Sequence, residues 1–129
     1  MVVDQNFLKV KKYFLLVIFF LLFASKSYSN NYTFTKIIEL DEPWGSSFIN
    51  NNEIIITEKS GKIKIVNVVS KEVTEIKHNL NFLEVGQGGL LDIIHQDNML
   101  WISYSEDRGN SKTSTSIAKA KLNKQELDF

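Results

Sequence analysis

The strongest constraint on this chain is a rhythm. From Tyr32 to Leu122, short runs rich in β-branched and aromatic residues alternate with clusters of Asn, Asp, Ser and Gly. Such runs fit a pleated, half-buried surface, and the clusters between them supply turn chemistry. The first half predicts strands over 33–40, 44–49, 53–58, 62–65 and 72–76. Asp41, Glu42 and Pro43, the only proline, separate the first of these from the second. Asn50-Asn51-Asn52 is expected to turn through the left-handed region, which Asn tolerates. Lys62-Ile63-Lys64-Ile65 alternates, a pattern that puts lysines in water and isoleucines in a core. Residues 72–76 carry Glu72 and Glu75 and suit a sheet edge, where charge discourages mispairing. The last four runs, joined by short turns, predict an up-and-down antiparallel sheet.

A second set follows. Residues 90–94 read as a strand and Gln96-Asp97-Asn98 as its turn. Met99 to Tyr104 is apolar on both faces, as in a strand covered on both sides. Residues 105–114 are polar and predict a long exposed hairpin loop. Residues 115–122 alternate, with Ala118, Ala120 and Leu122 on one face and Lys119 and Lys121 on the other. The two sets open at Trp44 and Gly89, 45 residues apart, and their second strands at Glu53 and Met99, 46 apart. Four-stranded propeller blades recur at about 40–50 residues. The expected fold class is therefore all-β, a β-propeller, whose second set shows only three strands. A small sandwich or barrel of seven or eight strands satisfies the same spacing.

Residues 1–29 are read as a signal peptide and residues 30–129 as the folded domain. Lys9, Lys11 and Lys12 precede an unbroken apolar run over 13–24, and Ser27-Tyr28-Ser29 fits cleavage after Ser29. The competing reading, a membrane anchor, needs about 20 apolar residues, more than this run supplies. The chain holds 15 Lys+Arg and 15 Asp+Glu, but four of the bases and one acid lie before residue 30. The remainder thus carries −3 and has no electrostatic footprint for nucleic acid. Absence of cysteine excludes disulfides, thiolate chemistry and cysteine-ligated zinc. An exported domain this small is usually stapled by disulfides, so the working fold is expected to be larger than these residues.

Between the two sets lies Glu84-Val85-Gly86-Gln87-Gly88-Gly89-Leu90-Leu91-Asp92. By its residues alone this is a tight turn or bulge leading into a strand. Glycines permit positive φ and close backbone approach, and a glutamine amide both donates and accepts without titrating. No Gly-Lys-Ser/Thr follows, which excludes a phosphate loop.

Four stretches come in order at suitable spacing: Pro43-Trp44-Gly45, then Ile56-Thr57-Glu58-Lys59-Ser60-Gly61-Lys62-Ile63, then Gly86-Gln87-Gly88-Gly89-Leu90-Leu91-Asp92, then Ser103-Tyr104-Ser105-Glu106. Together they resemble the opening of the glucose/sorbosone dehydrogenase family, the soluble pyrroloquinoline quinone (PQQ)-dependent aldose sugar dehydrogenases. The resemblance covers nearly all of residues 37–127. It implies a periplasmic or secreted six-bladed β-propeller that uses PQQ and calcium to oxidise the C1 hydroxyl of an aldose sugar to a lactone. A histidine takes the hydroxyl proton in such an enzyme. The resemblance implies no nucleic-acid partner and no stable membrane insertion after signal cleavage, and it leaves the electron acceptor open.

On that resemblance the chain spans about the first one and three-quarter blades. The family's histidine base, quinone-binding arginines and lysine, and calcium ligands come from later blades. No catalytic and no metal-binding residue is therefore assigned here, and the chain is expected to be an inactive piece of a longer reading frame. Its unfinished blade leaves an open edge, so residues 30–129 alone are expected to fold poorly.

Gln87 is the one position the resemblance carries over, at the sugar- and quinone-facing end of the central pocket, with Gly86, Gly88 and Gly89 shaping the loop. Asp92 is expected to be a buried strand carboxylate with a structural hydrogen bond. His78 and His95 read as structural or solvent-facing, and Trp44 and Trp101 as core packing. Glu106, Asp107 and Asn110 lack the regular acidic spacing of a calcium loop. The rival reading is a non-catalytic exported propeller or sandwich that binds glycans or proteins, because fold does not fix function. A propeller lactonase, needing calcium and no quinone, is a third.

Overall fold

A computed structural model describes residues 31–129 together with Val10, residues 12–15 and Ile18. Two compact units divide the chain, residues 1–34 and residues 35–129. In the first unit the described residues before 20 are helical and exposed, and residues 31–34 have no regular structure. The signal peptide and its cleavage point lie for the most part outside the described residues. No helix among the described residues is long and apolar enough to cross a membrane.

The second unit holds eight strands: β1 Pro43–Phe48, β2 Glu53–Glu58, β3 Ile63–Asn67, β4 Val73–Ile76, β5 Leu90–Gln96, β6 Met99–Asp107, β7 Thr113–Asn123 and β8 Glu126–Asp128. They form two four-stranded meanders of order β1-β2-β3-β4 and β5-β6-β7-β8, every neighbouring pair antiparallel. This is the blade-like layout that the spacing predicted. The weak run at 72–76 is an outer edge, as its charges suggest.

The period-two pattern selects the core. Ile55, Ile63 and Ile76 of the first sheet meet Leu90, Ile93, Leu100, Ile102, Ala120 and Leu127 of the second. Leu100 pairs with Ala120 and Ile102 with Ala118, so large residues face small ones across the β6–β7 ladder. Burying each Ile or Leu side chain contributes about 1.5–3 kcal/mol. At the outer end the sheets are joined by backbone: Lys77 N–H donates to the Gln125 carbonyl, and Leu127 N–H to the Lys77 carbonyl, both at 2.8–2.9 Å.

Several local expectations are corrected. Residues 33–40 form no strand; a β-prone run needs a sheet edge to pair with, and among the described residues the chain is first tied to the sheet just beyond this run, by the Asp41 N–H to Glu58 Oε1 (2.9 Å). The 50–52 turn does not use the left-handed region. Instead the Asn50 side chain accepts from the N–H groups of Asn52 and Glu53, both at 2.9 Å, replacing a backbone turn with an Asx turn. Left-handed residues occur in other turns, among them Asp97 (φ 52°) and Asn98 (φ 60°) in the β5–β6 hairpin, the arrangement that suits a two-residue turn between twisted strands.

Lys64 does not face water but is drawn onto buried Glu58. The 105–114 loop is shorter than its polarity suggests, because Ser105↔Thr115, Glu106↔Ser114 and Asp107↔Thr113 continue the ladder and leave only 108–112 as loop. The second sheet gains a fourth strand, β8, too short for alternation to reveal. Trp44 and Trp101 are not core residues; they are 49% and 41% exposed, and β6 is covered on one face only.

Candidate functional site

The 84–89 loop carries the chain from the first sheet to β5, the first strand of the second. Two anchors hold it. Ser105, buried in β6, donates its N–H to the Gly89 carbonyl (2.9 Å) and accepts the Leu83 N–H (2.9 Å). On the other side the Lys59 carbonyl, at the end of β2, accepts the Leu90 N–H (3.3 Å). A Cβ on Gly89 would lie 2.2 Å from that carbonyl oxygen, and φ is +135°, so only glycine fits.

Gly88 N–H closes a turn onto the Val85 carbonyl (2.8 Å), which puts Gln87 at the exposed apex. Gly86 also has positive φ, +60°, but nothing stands within 4 Å of where its Cβ would be. Gly88 is outside the positive-φ set, but a Cβ there would lie 3.0 Å from both Ser105 Oγ and the Val85 carbonyl oxygen, so it serves close approach and not the turn angle. The close approach at Gly89 is to the chain's own Lys59.

Beneath the loop the two sheets interlock through polar groups. β1 is irregular between Pro43 and Gly45, and β5 between Leu90 and Ile93. Thr57, fully buried, accepts the Gly45 N–H at 3.0 Å and donates its hydroxyl proton to the Leu91 carbonyl at 2.5 Å. Next to it Glu58 is also fully buried, with Oε1 shared by Lys64 Nζ (2.7 Å) and the Asp41 N–H (2.9 Å), and Oε2 without a partner. Burial pushes the Glu58 carboxyl up, but the Lys64 ammonium, the Asp41 N–H and the charges of Lys64 and Lys62 outweigh it and hold the pKa below the ordinary carboxylate value. Sequence reasoning passed over Thr57 and Glu58. Their signal was present, two polar residues ending a run of three isoleucines.

The other named residues scatter. Asp92 is exposed, not buried, because β5 is an edge strand; its Oδ1 accepts the Ile93 N–H (2.9 Å). His78 spans two backbone groups, with Nε2 on the Gly61 carbonyl (2.6 Å) and Nδ1 accepting the Leu80 N–H (3.2 Å), an assignment that puts the proton on Nε2. The His95 N–H donates to Ser47 Oγ (3.0 Å) and ties β5 to β1. Glu106 is engaged by Arg108 (2.8 Å) and Ser116, and Asp107 by the Gly109 N–H (2.8 Å). Among the described residues no group of three or more His, Asp or Glu could hold a metal ion. An open cleft of about 770 Å³ lies elsewhere, lined by Ile49, Ile65, Ile76, Leu122 and Glu126 among others, and none of its lining residues belongs to the 84–89 loop.

The profile of the Glucose / Sorbosone dehydrogenase family matches residues 40–129. The chain belongs to this family. It is 28% identical over 90 residues to aldose sugar dehydrogenase YliI of Escherichia coli (strain K12), covering 65% of this chain and 24% of that protein. The crystal structure of the soluble aldose sugar dehydrogenase from Escherichia coli in the apo form superposes with a TM-score of 0.61 at 27% identity, over 68% of this chain and 28% of that one.

The PQQ-bound aldose sugar dehydrogenase from Streptomyces coelicolor superposes with a TM-score of 0.58 at 18% identity, over 67% of this chain and 26% of that one, a likeness of fold. The eight strands form two sheets of an open partial β-propeller, a layout that matches part of these structures. The chain spans about a quarter of the length of the relatives it matches.

Proposed function

We propose that this chain is the N-terminal part of an exported, PQQ-dependent aldose sugar dehydrogenase that oxidises the C1 hydroxyl of sugars to lactones, with Gln87 facing sugar and cofactor. Family membership supports the reaction class. A single observation carries the assignment of Gln87: a rigidly anchored loop holds one exposed amide at its apex, beside the open space at Gly86.

The residues fit one wall of such a site. An amide held on a fixed backbone can accept from a sugar hydroxyl or donate to a quinone or carboxylate oxygen without changing protonation. PQQ, when bound, supplies the two-electron acceptor for the alcohol's oxidation. The work of this chain is positional: Gly89 and Ser105 fix the loop, and Thr57 fixes β5 below it, so the Gln87 amide is presented before substrate arrives. The described residues offer no donor set for calcium, and no role toward that ion is derived from them.

The full reading frame that contains this segment, supplied with PQQ and calcium, is assayed for aldose oxidation with an artificial electron acceptor. Gln87→Ala is expected to lower kcat/KM about tenfold, the value of one neutral hydrogen bond, without moving the melting temperature. Equal kcat/KM in variant and parent removes Gln87 from the site. A parent that binds no quinone replaces the enzyme reading with that of a non-catalytic binding module.

A further inference from the structure

The two sheets touch along their first strands and part toward their last. Ser47 Oγ of β1 accepts the His95 N–H of β5 (3.0 Å), and the Thr57 hydroxyl reaches the Leu91 carbonyl across the same seam. Toward the third and fourth strands the cleft of about 770 Å³ opens between Ile65 and Ile76 on one side and Leu122 on the other. The start of β1 pairs with the end of β2, as Pro43 with Glu58, and the Lys59 carbonyl meets Leu90 at the start of β5. The approach to β1 and the 84–89 loop thus share one end of the inner edge.

Lys59 crosses that edge. Its N–H donates to the Glu42 carbonyl (3.1 Å) and its carbonyl accepts the Leu90 N–H (3.3 Å), so one residue joins the approach to β1 with the exit from the loop. Its side chain follows the same path. A Cβ on Gly89 would stand 3.1 Å from Lys59 Cγ, and Lys59 Nζ lies 3.9 Å from Glu42 Oε1. The lysine side chain is only 17% exposed, whereas that of Glu42 is 59% exposed.

Glu42 holds an uncommon backbone angle. A residue before proline is ordinarily extended, with negative φ, yet Glu42 has φ +41°. Among the described residues, the other left-handed residues that are not glycine turn one strand into the next, and Glu42 lies in no hairpin. Its neighbours impose the angle: the Asp41 N–H is held by Glu58 Oε1 (2.9 Å) and the Glu42 carbonyl by the Lys59 N–H. Strain of this kind persists where the surroundings fix it, and it collects at binding sites.

The spacing of the pair selects a ligand. At 3.9 Å the ammonium and the carboxylate attract each other but share no hydrogen bond. A hydroxyl suits the gap, since it accepts from the one and donates to the other at once. A ligand carboxylate is repelled by Glu42, and a ligand ammonium by Lys59. The complementary group is a neutral polyol hydroxyl.

We propose, on the reading of the 84–89 loop as one wall of a sugar site, that Glu42 and Lys59 bind a hydroxyl of the sugar beside Gln87 and favour neutral aldoses over sugar acids. Both sheets then contribute to one polyol site, with an acceptor, a donor and an amide that is both.

The full reading frame that contains this segment, supplied with PQQ and calcium, is assayed with glucose and with glucuronic acid, which both carry the C1 hydroxyl. Glu42→Gln is expected to raise KM for glucose about tenfold, more than it lowers kcat, as a lost binding contact does. It is also expected to narrow the preference for glucose over glucuronic acid, because Lys59 loses its counter-charge. Lys59→Met keeps both backbone bonds and is expected to weaken glucose without improving glucuronic acid. Glucose is expected to raise the melting temperature of the quinone-free parent, and to raise that of either variant less. Loss of activity in Gln87→Ala with the Glu42 and Lys59 variants equal to the parent overturns this proposal alone. All three variants equal to the parent, or a parent that neither oxidises glucose nor is stabilised by it, overturns the sugar-site reading as well.

Discussion

A Cβ added to Gly45 would lie 2.6 Å from Asp92 Cα and 2.8 Å from the Leu91 carbonyl oxygen. Backbone of the first sheet rests on backbone of the second, with Asp92 Oδ1, 2.7 Å from the added Cβ, at the rim of the contact. Gly45→Ala must therefore separate the sheets, and overpacking of this kind costs about 1–3 kcal/mol. The expected reading is a lower denaturant midpoint with an unchanged m-value. A midpoint equal to the parent's would show that the inner strands yield freely.

The Thr57 hydroxyl links the same strands. Thr57→Val keeps the shape but leaves the Gly45 N–H and the Leu91 carbonyl unpartnered in a buried place, at a cost of about 1–3 kcal/mol. Thr57→Ser retains both bonds and loses one methyl, and should cost less than half as much. Denaturant titrations of the two variants check the order; a Ser variant as weak as the Val variant assigns the effect to packing.

Glu58 makes stability depend on pH in a definite direction. Its folded pKa lies below the ordinary carboxylate value, so its contribution is present above about pH 4.3 and is lost as pH falls through the folded pKa. Lys64→Met removes the partner and leaves a buried, unpaired charge, expected to cost about 3–5 kcal/mol at neutral pH. With the main lowering influence gone, burial raises the Glu58 pKa, and the acid limb of the stability–pH curve shifts to higher pH. Thermal melts from pH 3 to 8 test this, and parallel curves for parent and variant would defeat it.

Gly89→Ala places a Cβ 2.2 Å from the Lys59 carbonyl oxygen at φ +135°. The cost is expected to be at least about 2 kcal/mol, because neither the backbone angle nor the neighbour can give cheaply. Gly86→Ala meets no atom and bears only the strain of φ +60°, so it should be milder. Chemical denaturation of both variants separates steric contact from backbone preference; equal losses would contradict the contact at Lys59.

Local pattern revealed the strands that alternate over five or more residues, with their order and the two-sheet layout. It failed where an element exists through its neighbours. Residues 33–40 have strand composition and no edge to join. Residues 126–128 have little β character and become a strand because β7 and Lys77 offer partners. Lys64 looks solvent-facing until Glu58, six residues earlier, is seen to need a cation. The Gly-Gln-Gly-Gly loop was legible as a loop, and the family resemblance carries the proposal that it is one wall of a site. Which glycine meets an obstacle was not legible, because the obstacle is Lys59, thirty residues away.

The backbone bonds that Lys77 makes with Gln125 and Leu127 have a consequence for order in time. Among the described residues, the outer end of the first sheet is latched by residues about fifty positions further along, and that latch cannot form while the ribosome still holds them. During synthesis the first meander has local partners for its strands but no lock at its outer rim. Contacts this distant in sequence slow folding, because the intervening chain must be ordered before they form. Residues 125–127 therefore complete the first sheet as well as the second, and a nascent chain stalled before Gln125 is expected to remain open to proteolysis at Lys77.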